Sequence, residues 1–115
     1  MRRGDIYLVD LEPVIGSEAN KKRPAVLVTN DAANRMADRA GRGVLAVVPV
    51  TSNVTHVRSF QVLLSAVECG LQRDSKAQCE QIRALDLARF GKRIGVVPAP
   101  LMKDIDRALR QQLAL

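Results

Sequence analysis

The sequence predicts a small α+β domain, mainly β, in which a strongly bent barrel of short strands carries a helix against its outside. Three observations lead to this prediction. The chain has 115 residues, which is one domain (1–115) with no room for a second core. Its first hundred residues alternate short β-rich segments with turn residues, and only the last fifteen have a long helical pattern. A sheet that closes on itself removes its exposed edges, which suits a domain of this size.

The first half of the chain predicts three strands and one helix. "DIYLVDL" (5–11) is rich in β-formers. A loop containing Pro, Gly, Ser and Asn (12–23) separates it from "PAVLVTN" (24–30), whose unbroken apolar run indicates burial on both faces. Asn30 or Asp31 can cap a short helix to about residue 38, which "AGRG" ends. "VLAVVPVTS" (44–52) is the third strand, and its Pro49 predicts a bulge or an unpaired position.

The second half predicts shorter elements and then a helix. A polar loop "NVTHVRS" is followed by strands "FQVLLS" (60–65) and "SKAQCEQI" (75–82), a helical turn at "LDLARF" and a last strand "KRIGVV". From Pro100 onward, apolar residues recur every four positions at 101, 105, 109 and 113. This stripe predicts a terminal helix that packs on the domain's own sheet.

The composition of the chain indicates which class of partner the protein can bind. Eighteen Lys and Arg against twelve Asp and Glu give a net charge of +6, spread along the chain. A basic protein favours a polyanion, although an inert basic surface stays possible. Tyr7, Phe60 and Phe90 are the only aromatic residues, so we do not expect an RNA-binding module that works by stacking bases on its sheet.

The chain lacks the usual signatures of cofactor and metal enzymes. It has no phosphate-binding or dinucleotide-binding glycine motif and no H-E-x-x-H motif, so we expect no cofactor. Cys69 and Cys79 stand ten residues apart, and His56 is the only histidine, so we predict no metal site, no Ser-His-Asp triad and two reduced, partly buried thiols. No segment is long and apolar enough for a signal peptide or a membrane span, so we expect a cytoplasmic protein.

Polar residues remain at the predicted strand ends. Glu18 and Arg23 precede the second strand, Thr51 and Ser52 end the third, and Gln81 lies within "CEQIR". They could form a site. Alternatively, Thr51 and Ser52 could be local caps at a turn, and Gln81 could form a hydrogen bond that pins a loop.

Three blocks in the same order resemble the MazF/PemK-type toxins. They are "RGDIYLVDLEPVIGSEANKKRPAVLVTN", with its "GSE" loop and Arg-Pro, "VVPVTS", and "CEQIRALDLARFGKRIG". The doublet Lys21-Lys22 departs from the small residues of many relatives. The resemblance implies a small SH3-like barrel that forms a homodimer. It implies a sequence-specific endoribonuclease that cleaves single-stranded RNA, the toxin partner of an acidic-tailed antitoxin in a type II system. Operator DNA would be bound only through the antitoxin complex, and no membrane is involved.

The resemblance also assigns residues. It implies that Arg23 and Thr51 are the active-site arginine and threonine. Glu18 would be the glutamate of the preceding loop, to which Gly16 and Ser17 also belong, and Gln81 would be the glutamine of the "EQIR" segment. A guanidinium suits a phosphate, so charge stabilisation is the role we expect for Arg23. The family view also gives the arginine proton transfer, yet a group with a pKa above ~12 is a poor base.

The mechanism implied by the resemblance uses the 2′-hydroxyl of the substrate as nucleophile and needs no metal. Thr51 would donate to a non-bridging oxygen, and Glu18 would accept the 2′-proton or hold the arginine. We expect Lys21 and Lys22 to attract neighbouring phosphates. The RNA-binding set we predict also contains these loop residues: Ser17, Ser52, Asn53, His56, Arg58 and Gln81.

Two other functions fit a similar fold. CcdB-type toxins resemble these proteins in architecture and poison DNA gyrase without cleaving nucleic acid. A barrel that binds RNA without turnover is the second. Both differ from the nuclease in not requiring Arg23 and Thr51 to converge on one phosphate.

Overall fold

The computed structural model describes residues 1–11 and 22–115, and these residues form one antiparallel sheet with three helices. The strands are β1 (Asp5–Asp10), β2 (Lys22–Leu27), β3 (Val44–Thr51), β4 (Gln61–Leu64), β5 (Ser75–Gln78), β6 (Arg83–Asp86) and β7 (Phe90–Val96). The helices are α1 (Asp31–Ala40), α2 (Ala66–Cys69) and α3 (Ala99–Leu113), with 3₁₀ turns at Cys79–Gln81 and Leu87–Arg89. The predicted α+β class with a terminal helix is confirmed.

The strand order is β4-β5-β3-β2-β1-β7, with β6 paired to β3 beside this path. One edge of β3 pairs with β2, and the other edge is shared by β6, through Val47, and β5, from Val50. Pro49 lies between the residues of β3 that pair with β6 and those that pair with β5, so on this edge it has no partner residue in either strand. The proline, which cannot donate a backbone hydrogen bond, therefore stands where β3 changes partners, as expected for an unpaired position.

The two ends of the sheet approach each other through β7 and the segment after β4. Gly70 ends α2 in the left-handed conformation, with φ of 74°, and turns the chain back towards β7. A Cβ on Gly95 of β7 would come within 2.3 Å of the Cys69 carbonyl oxygen, and one on Gly70 within 3.9 Å of the Gly95 Cα. Only a glycine at residue 95 permits this approach, which bends the sheet around the core.

The sheet has a core on each face. One core contains Ile6, Val26, Val48, Val50 and Leu64 together with the apolar stripe of α3 (Met102, Ile105, Ala108 and Leu109). The other contains Val9, Ala25, Leu27, Val47 and Leu85 with Ala37 of α1. Strand β2 contributes alternate residues to both, so the burial on two faces predicted from its apolar run is confirmed.

Local sequence signals explain the boundaries of the first helix. The side chain of Asn30 accepts a hydrogen bond from the Ala33 N–H at 2.9 Å, as an N-cap residue does. Gly41 follows the helix in the left-handed conformation, with φ of 69°. The predicted start is confirmed, and the helix runs two residues beyond its predicted end.

Three sequence predictions about elements were wrong in detail. Strand β2 begins at Lys22, so Lys22 and Arg23 belong to a strand rather than to the preceding loop. The predicted strand 75–82 ends at Gln78, where a 3₁₀ turn places Cys79 in the core. Helix α2 and strand β6 were not predicted, because each has only four residues and no clear periodicity. Among the described helices, none is long and apolar enough to cross a membrane.

Candidate active site

A cleft of about 590 Å³ opens at one end of the sheet. Its lining comes from the start of β2, the end of β3, the middle of β1 and β7, and the turn after α2. Four cations line it, namely Arg23, Arg73, Lys92 and Arg93, and no acidic residue of the described chain does so. A concave surface lined by one sign of charge concentrates its field, so this cleft favours an anionic ligand.

The sheet brings Arg23 and Thr51 to the same cleft. The ladder between β2 and β3 ends at Ala25 opposite Pro49, and Arg23 and Thr51 each lie two residues beyond this last pair. Both residues line the cleft. Two residues that the sequence singled out in separate segments therefore belong to one concave surface.

Arg23 is an available cation. Its partner on the other side of β2 is Val9 of β1, which holds the backbone of the arginine in the ladder. The side chain is exposed, and it makes no hydrogen bond or ion pair with any residue of the described ranges. No described residue occupies the fork of N–H donors, whose geometry matches two oxygens of a phosphate.

Thr51 ends β3 with its hydroxyl already oriented. Its Oγ1 accepts a hydrogen bond from the Asn53 N–H at 3.2 Å, a local turn contact of the kind expected for a threonine at a strand end. Because the oxygen accepts there, the hydroxyl proton stays available for donation to a ligand. Ser52 lines the cleft beside it.

The opposite part of the cleft is basic as well, and sequence reasoning missed it. Lys92 and Arg93 lie on β7, and Arg73 lies in the turn between α2 and β5. The pair "KR" in "KRIGVV" was assigned to a strand and not to a site. A signal was present, since two adjacent cations in a short strand place at least one charge on an exposed face.

Arg93 is held by a buried carboxylate. Its Nη1 lies 3.7 Å from Oδ1 of Asp5, whose side chain is only 5% exposed. The other oxygen, Oδ2, accepts hydrogen bonds from the Arg2 N–H at 2.9 Å and from the Tyr7 hydroxyl at 3.5 Å. Burial, and then the charge of Asp5, raises the pKa of Tyr7, so this hydroxyl stays protonated near neutral pH.

The remaining predicted site residues fall into two groups. Ser17, Glu18 and Lys21, like Gly16 before them, lie outside the described residues. Lys22, Asn53, His56, Arg58 and Gln81 are described and exposed, and they do not line the cleft. The backbone carbonyl of His56 accepts a hydrogen bond from the Lys76 Nζ at 2.5 Å, which ties the loop 53–59 to the strand paired with Thr51.

Neither thiol is suited to nucleophilic chemistry. Cys69 and Cys79 are free and buried, as the sequence predicted. Burial, with a smaller effect from Glu80, raises the pKa of Cys79 to about 11, and burial with Glu68 raises that of Cys69. Both are therefore protonated at neutral pH. In residues 1–11 and 22–115, no group of three or more His, Cys, Asp or Glu is placed to hold a metal ion.

Comparison with known proteins identifies the family. Residues 2–113 match the model of the PemK-like, MazF-like toxins of type II toxin–antitoxin systems. The chain belongs to this toxin family. It is 56% identical to endoribonuclease MazF9 of Mycobacterium tuberculosis, over all of this chain and 98% of that protein. It is 35% identical to endoribonuclease EndoA of Bacillus subtilis, over all of this chain and 96% of that one.

Solved structures of this toxin family share the fold. A MazE–MazF crystal structure from Deinococcus radiodurans matches with a TM-score of 0.80 at 23% identity, covering all of this chain and 96% of that one. A mycobacterial endoribonuclease in complex with its cognate antitoxin matches with a TM-score of 0.76 at 23% identity, with the same coverage. At this identity the likeness concerns the fold alone.

Proposed function

We propose that this toxin is an endoribonuclease that cleaves single-stranded RNA in the cleft described above. The observation that carries the proposal is that Arg23 and Thr51, from the adjacent strands β2 and β3, line one cleft together with three further cations. The names of its relatives MazF9 and EndoA, both endoribonucleases, support the same reaction. The scarcity of aromatic side chains is consistent with binding by charge and hydrogen bonds instead of base stacking.

Arg23 and Thr51 would act on the scissile phosphate. When the 2′-oxygen attacks phosphorus, negative charge develops on the two non-bridging oxygens of the phosphorane. The guanidinium of Arg23 can donate to these oxygens and neutralise them, and the Thr51 hydroxyl can donate to one. Both groups come from adjacent strands of a rigid sheet, so little reorganisation is needed during the reaction.

The proton balance completes the step. The 2′-hydroxyl loses its proton as the new bond to phosphorus forms, and the bond from phosphorus to the 5′-oxygen breaks. That oxygen takes up a proton and leaves as a 5′-hydroxyl, while the other fragment keeps a 2′,3′-cyclic phosphate. We propose Glu18 as the carboxylate that accepts the first proton or holds Arg23. No metal ion or cofactor takes part in this scheme.

Base selection would use the polar residues around the cleft. The loop 53–59 follows Thr51 directly and is exposed, so Asn53, His56 and Arg58 can reach the bases on either side of the cut. Ser52, Lys22 and Gln81 complete the described part of the proposed RNA-binding set, with Ser17 and Lys21 from the preceding segment. Its RNA substrate would place the action of the toxin in the cytoplasm.

The proposed partners are a second copy of the chain and an acidic antitoxin. A 115-residue domain buries a modest share of its surface, so pairing adds stability, and a mycobacterial endoribonuclease of the same fold forms a complex with its cognate antitoxin. The antitoxin's acidic tail would complement the basic cleft, and operator DNA would be bound only by the toxin–antitoxin complex. We expect a homodimer at micromolar concentration. Sedimentation that shows only monomer would contradict it.

The nature of the cleaved ends tests the reaction. The pure toxin is incubated with a long mixed-sequence RNA in excess EDTA, and both ends of each fragment are identified. We expect a 2′,3′-cyclic phosphate, or the 3′-phosphate derived from it, opposite a 5′-hydroxyl. Deoxyribose at the nucleotide 5′ to the mapped cut should stop cleavage and leave binding intact.

Other outcomes would identify other functions. Cleavage of the deoxy-substituted strand, or dependence on added magnesium, would indicate water as the nucleophile. Binding without any cleavage would indicate an RNA-binding barrel, and binding to gyrase without effect on RNA would indicate a CcdB-like poison.

A further inference from the structure

Three cations besides Arg23 line the same cleft. Lys92 and Arg93 lie on β7, and Arg73 lies in the turn after α2. In the sheet order, β1 separates β7 from β2, so the backbones of Lys92 and Arg93 stand two strand positions from that of Arg23. Neighbouring strands are about 4.8 Å apart, which makes this separation roughly 10 Å along the sheet. Backbones this far apart leave room for this second group to contact one phosphate while Arg23 contacts another.

The surface between the two groups suits the body of a nucleotide. Leu8 of β1 and Pro24 of β2 line the cleft between them, and Ile94 of β7 lies beside the second group. This apolar floor offers contact to a sugar or base without a competing charge. A nucleic-acid strand fits this arrangement, because two of its phosphates can contact the cations on either side while a sugar or base packs against the apolar residues between them.

The charges of the second group are available. The side chains of Arg73 and Lys92 are exposed and make no hydrogen bond or ion pair with any described residue. Arg93 is 58% exposed and pairs only with Asp5 in the same part of the chain. Counting Asp5, the group retains an excess of two positive charges.

Asp5 is the charged neighbour of Arg93. The carboxylate is buried, and one of its oxygens is occupied by the Arg2 N–H and the Tyr7 hydroxyl. Tyr7 is the ladder partner of Arg93, so Asp5 is its diagonal neighbour on β1. The remaining oxygen lies 3.7 Å from Nη1 of Arg93, so the ion pair draws the guanidinium towards β1.

We propose that Arg73, Lys92 and Arg93 form a phosphate subsite for a nucleotide adjoining the cut, and that Asp5 positions Arg93 within it. The subsite deepens the proposed function and rests on it for the identity of the ligand as RNA. It binds the substrate strand and takes no part in the chemical step, which Arg23 and Thr51 perform.

The first experiment measures the salt dependence of binding. The probe is a fluorescein-labelled, mixed-sequence 12-nucleotide strand of DNA, which has phosphates but no 2′-hydroxyl to attack. Each phosphate contact contributes about 0.7 to the slope of log affinity against log salt for a single strand. The double variant Arg73→Ala/Lys92→Ala should lose about 1.4 from this slope and on the order of tenfold in affinity at 0.1 M salt.

The matched control removes the same charge elsewhere. Arg35→Ala/Arg39→Ala takes two exposed arginines from α1, which does not line the cleft. It should change the slope by much less than the subsite variant. Equal slopes for the two double variants would overturn the subsite, because the loss would then follow net charge alone.

The second experiment uses RNA cleavage to separate the subsite from the reaction. With the RNA substrate, the Arg73→Ala/Lys92→Ala variant should raise KM about tenfold and keep kcat within threefold. A fall in kcat with unchanged KM would overturn the assignment as a binding subsite. If the wild-type toxin does not cleave RNA at all, the proposed function fails, while the slope comparison still decides whether the subsite binds phosphates.

The third experiment tests Asp5. Asp5→Asn keeps the shape of the side chain and adds one positive charge to the cleft, so charge alone would tighten binding. If Asp5 positions Arg93, KM should instead rise about threefold, and Asp5→Asn should have no further effect on KM in an Arg93→Ala background. Tighter binding, or an equal effect in both backgrounds, would overturn the positioning role; thermal unfolding of each variant verifies that it is folded.

Discussion

Arg23→Ala should abolish RNA cleavage and leave the fold unchanged. Arg23 is exposed at the start of β2, and its removal breaks no hydrogen bond or ion pair with any residue of 1–11 or 22–115. Exposed substitutions of this kind change stability by less than about 0.5 kcal/mol. For a domain near 100 residues, this corresponds to a shift in Tm of roughly 2–4 °C.

The effect on the reaction should be far larger. Losing one preorganised neutral donor to a developing oxyanion costs about 10²–10³ in rate, and a charged donor is roughly twice as strong. We therefore expect kcat to fall by at least ~10³, which corresponds to about 4 kcal/mol of transition-state stabilisation. Arg23→Lys keeps the charge but loses the planar pair of N–H donors, so its kcat should lie between those of the wild type and Arg23→Ala.

The assay follows initial rates of cleavage of a labelled RNA that contains a mapped cut site, with circular dichroism and thermal unfolding on each variant. Arg42→Ala is the matched control, because this arginine is exposed in the turn after α1 and lies outside the cleft. It should cleave at the wild-type rate. An Arg23→Ala variant that cleaves within a few-fold of wild type would refute the assignment of the active site. A large fall in its Tm would show that the arginine has a structural role instead.

Three further predictions concern the scaffold and the specificity loop. Gly95→Ala should lower the free energy of unfolding by about 1–3 kcal/mol, because its Cβ would meet the Cys69 carbonyl oxygen at 2.3 Å. Gly41→Ala is the comparison, because its Cβ would enter open space and only the left-handed backbone opposes it. In the same denaturant titration it should lower the free energy of unfolding by only about 1 kcal/mol. The pKa of Cys79 is about 11 in the folded protein, so the folded chain keeps this proton at pH values where the unfolded chain has lost it. Between about pH 9 and pH 11, the free energy of unfolding of the wild type should therefore fall by up to roughly 3 kcal/mol more than that of Cys79→Ala. Parallel curves of the free energy of unfolding against pH for the two proteins would contradict this. Replacing the loop 53–59 with that of a relative should change the RNA motif cleaved, and an unchanged motif at normal activity would remove the loop from the recognition set.

Much of this toxin is determined by local sequence. The alternation and length of the apolar runs predicted most strands, since period-two burial depends on each strand's own residues. Asn30 and Gly41 marked the first helix because capping is a local hydrogen-bonding requirement. The stripe of α3 predicted its packing for the same reason, and three of its four predicted contacts, at residues 101, 105 and 109, are buried or partly buried, while Leu113 at the end is 48% exposed.

The sequence also contained the catalytic candidates, through residue types at strand ends and through resemblance to a family. What it lacked was their arrangement. Arg23 and Thr51 are 28 positions apart, and only the pairing of β2 with β3 brings them to one cleft. Such pairing is a non-local choice, governed by how two whole strands bury their faces.

The tertiary structure alone decided the second half of the cleft. Arg73, Lys92 and Arg93 come from a turn and a distant strand, and they share a cleft with Arg23 because the sheet bends until β7 reaches the turn after α2. That approach depends on the absence of a side chain at Gly95, and the direction of Arg93 depends on a carboxylate 88 residues earlier in the chain. Local propensity contains neither fact, since both arise from contacts between segments that are remote in sequence and close only after the sheet has curled around its core.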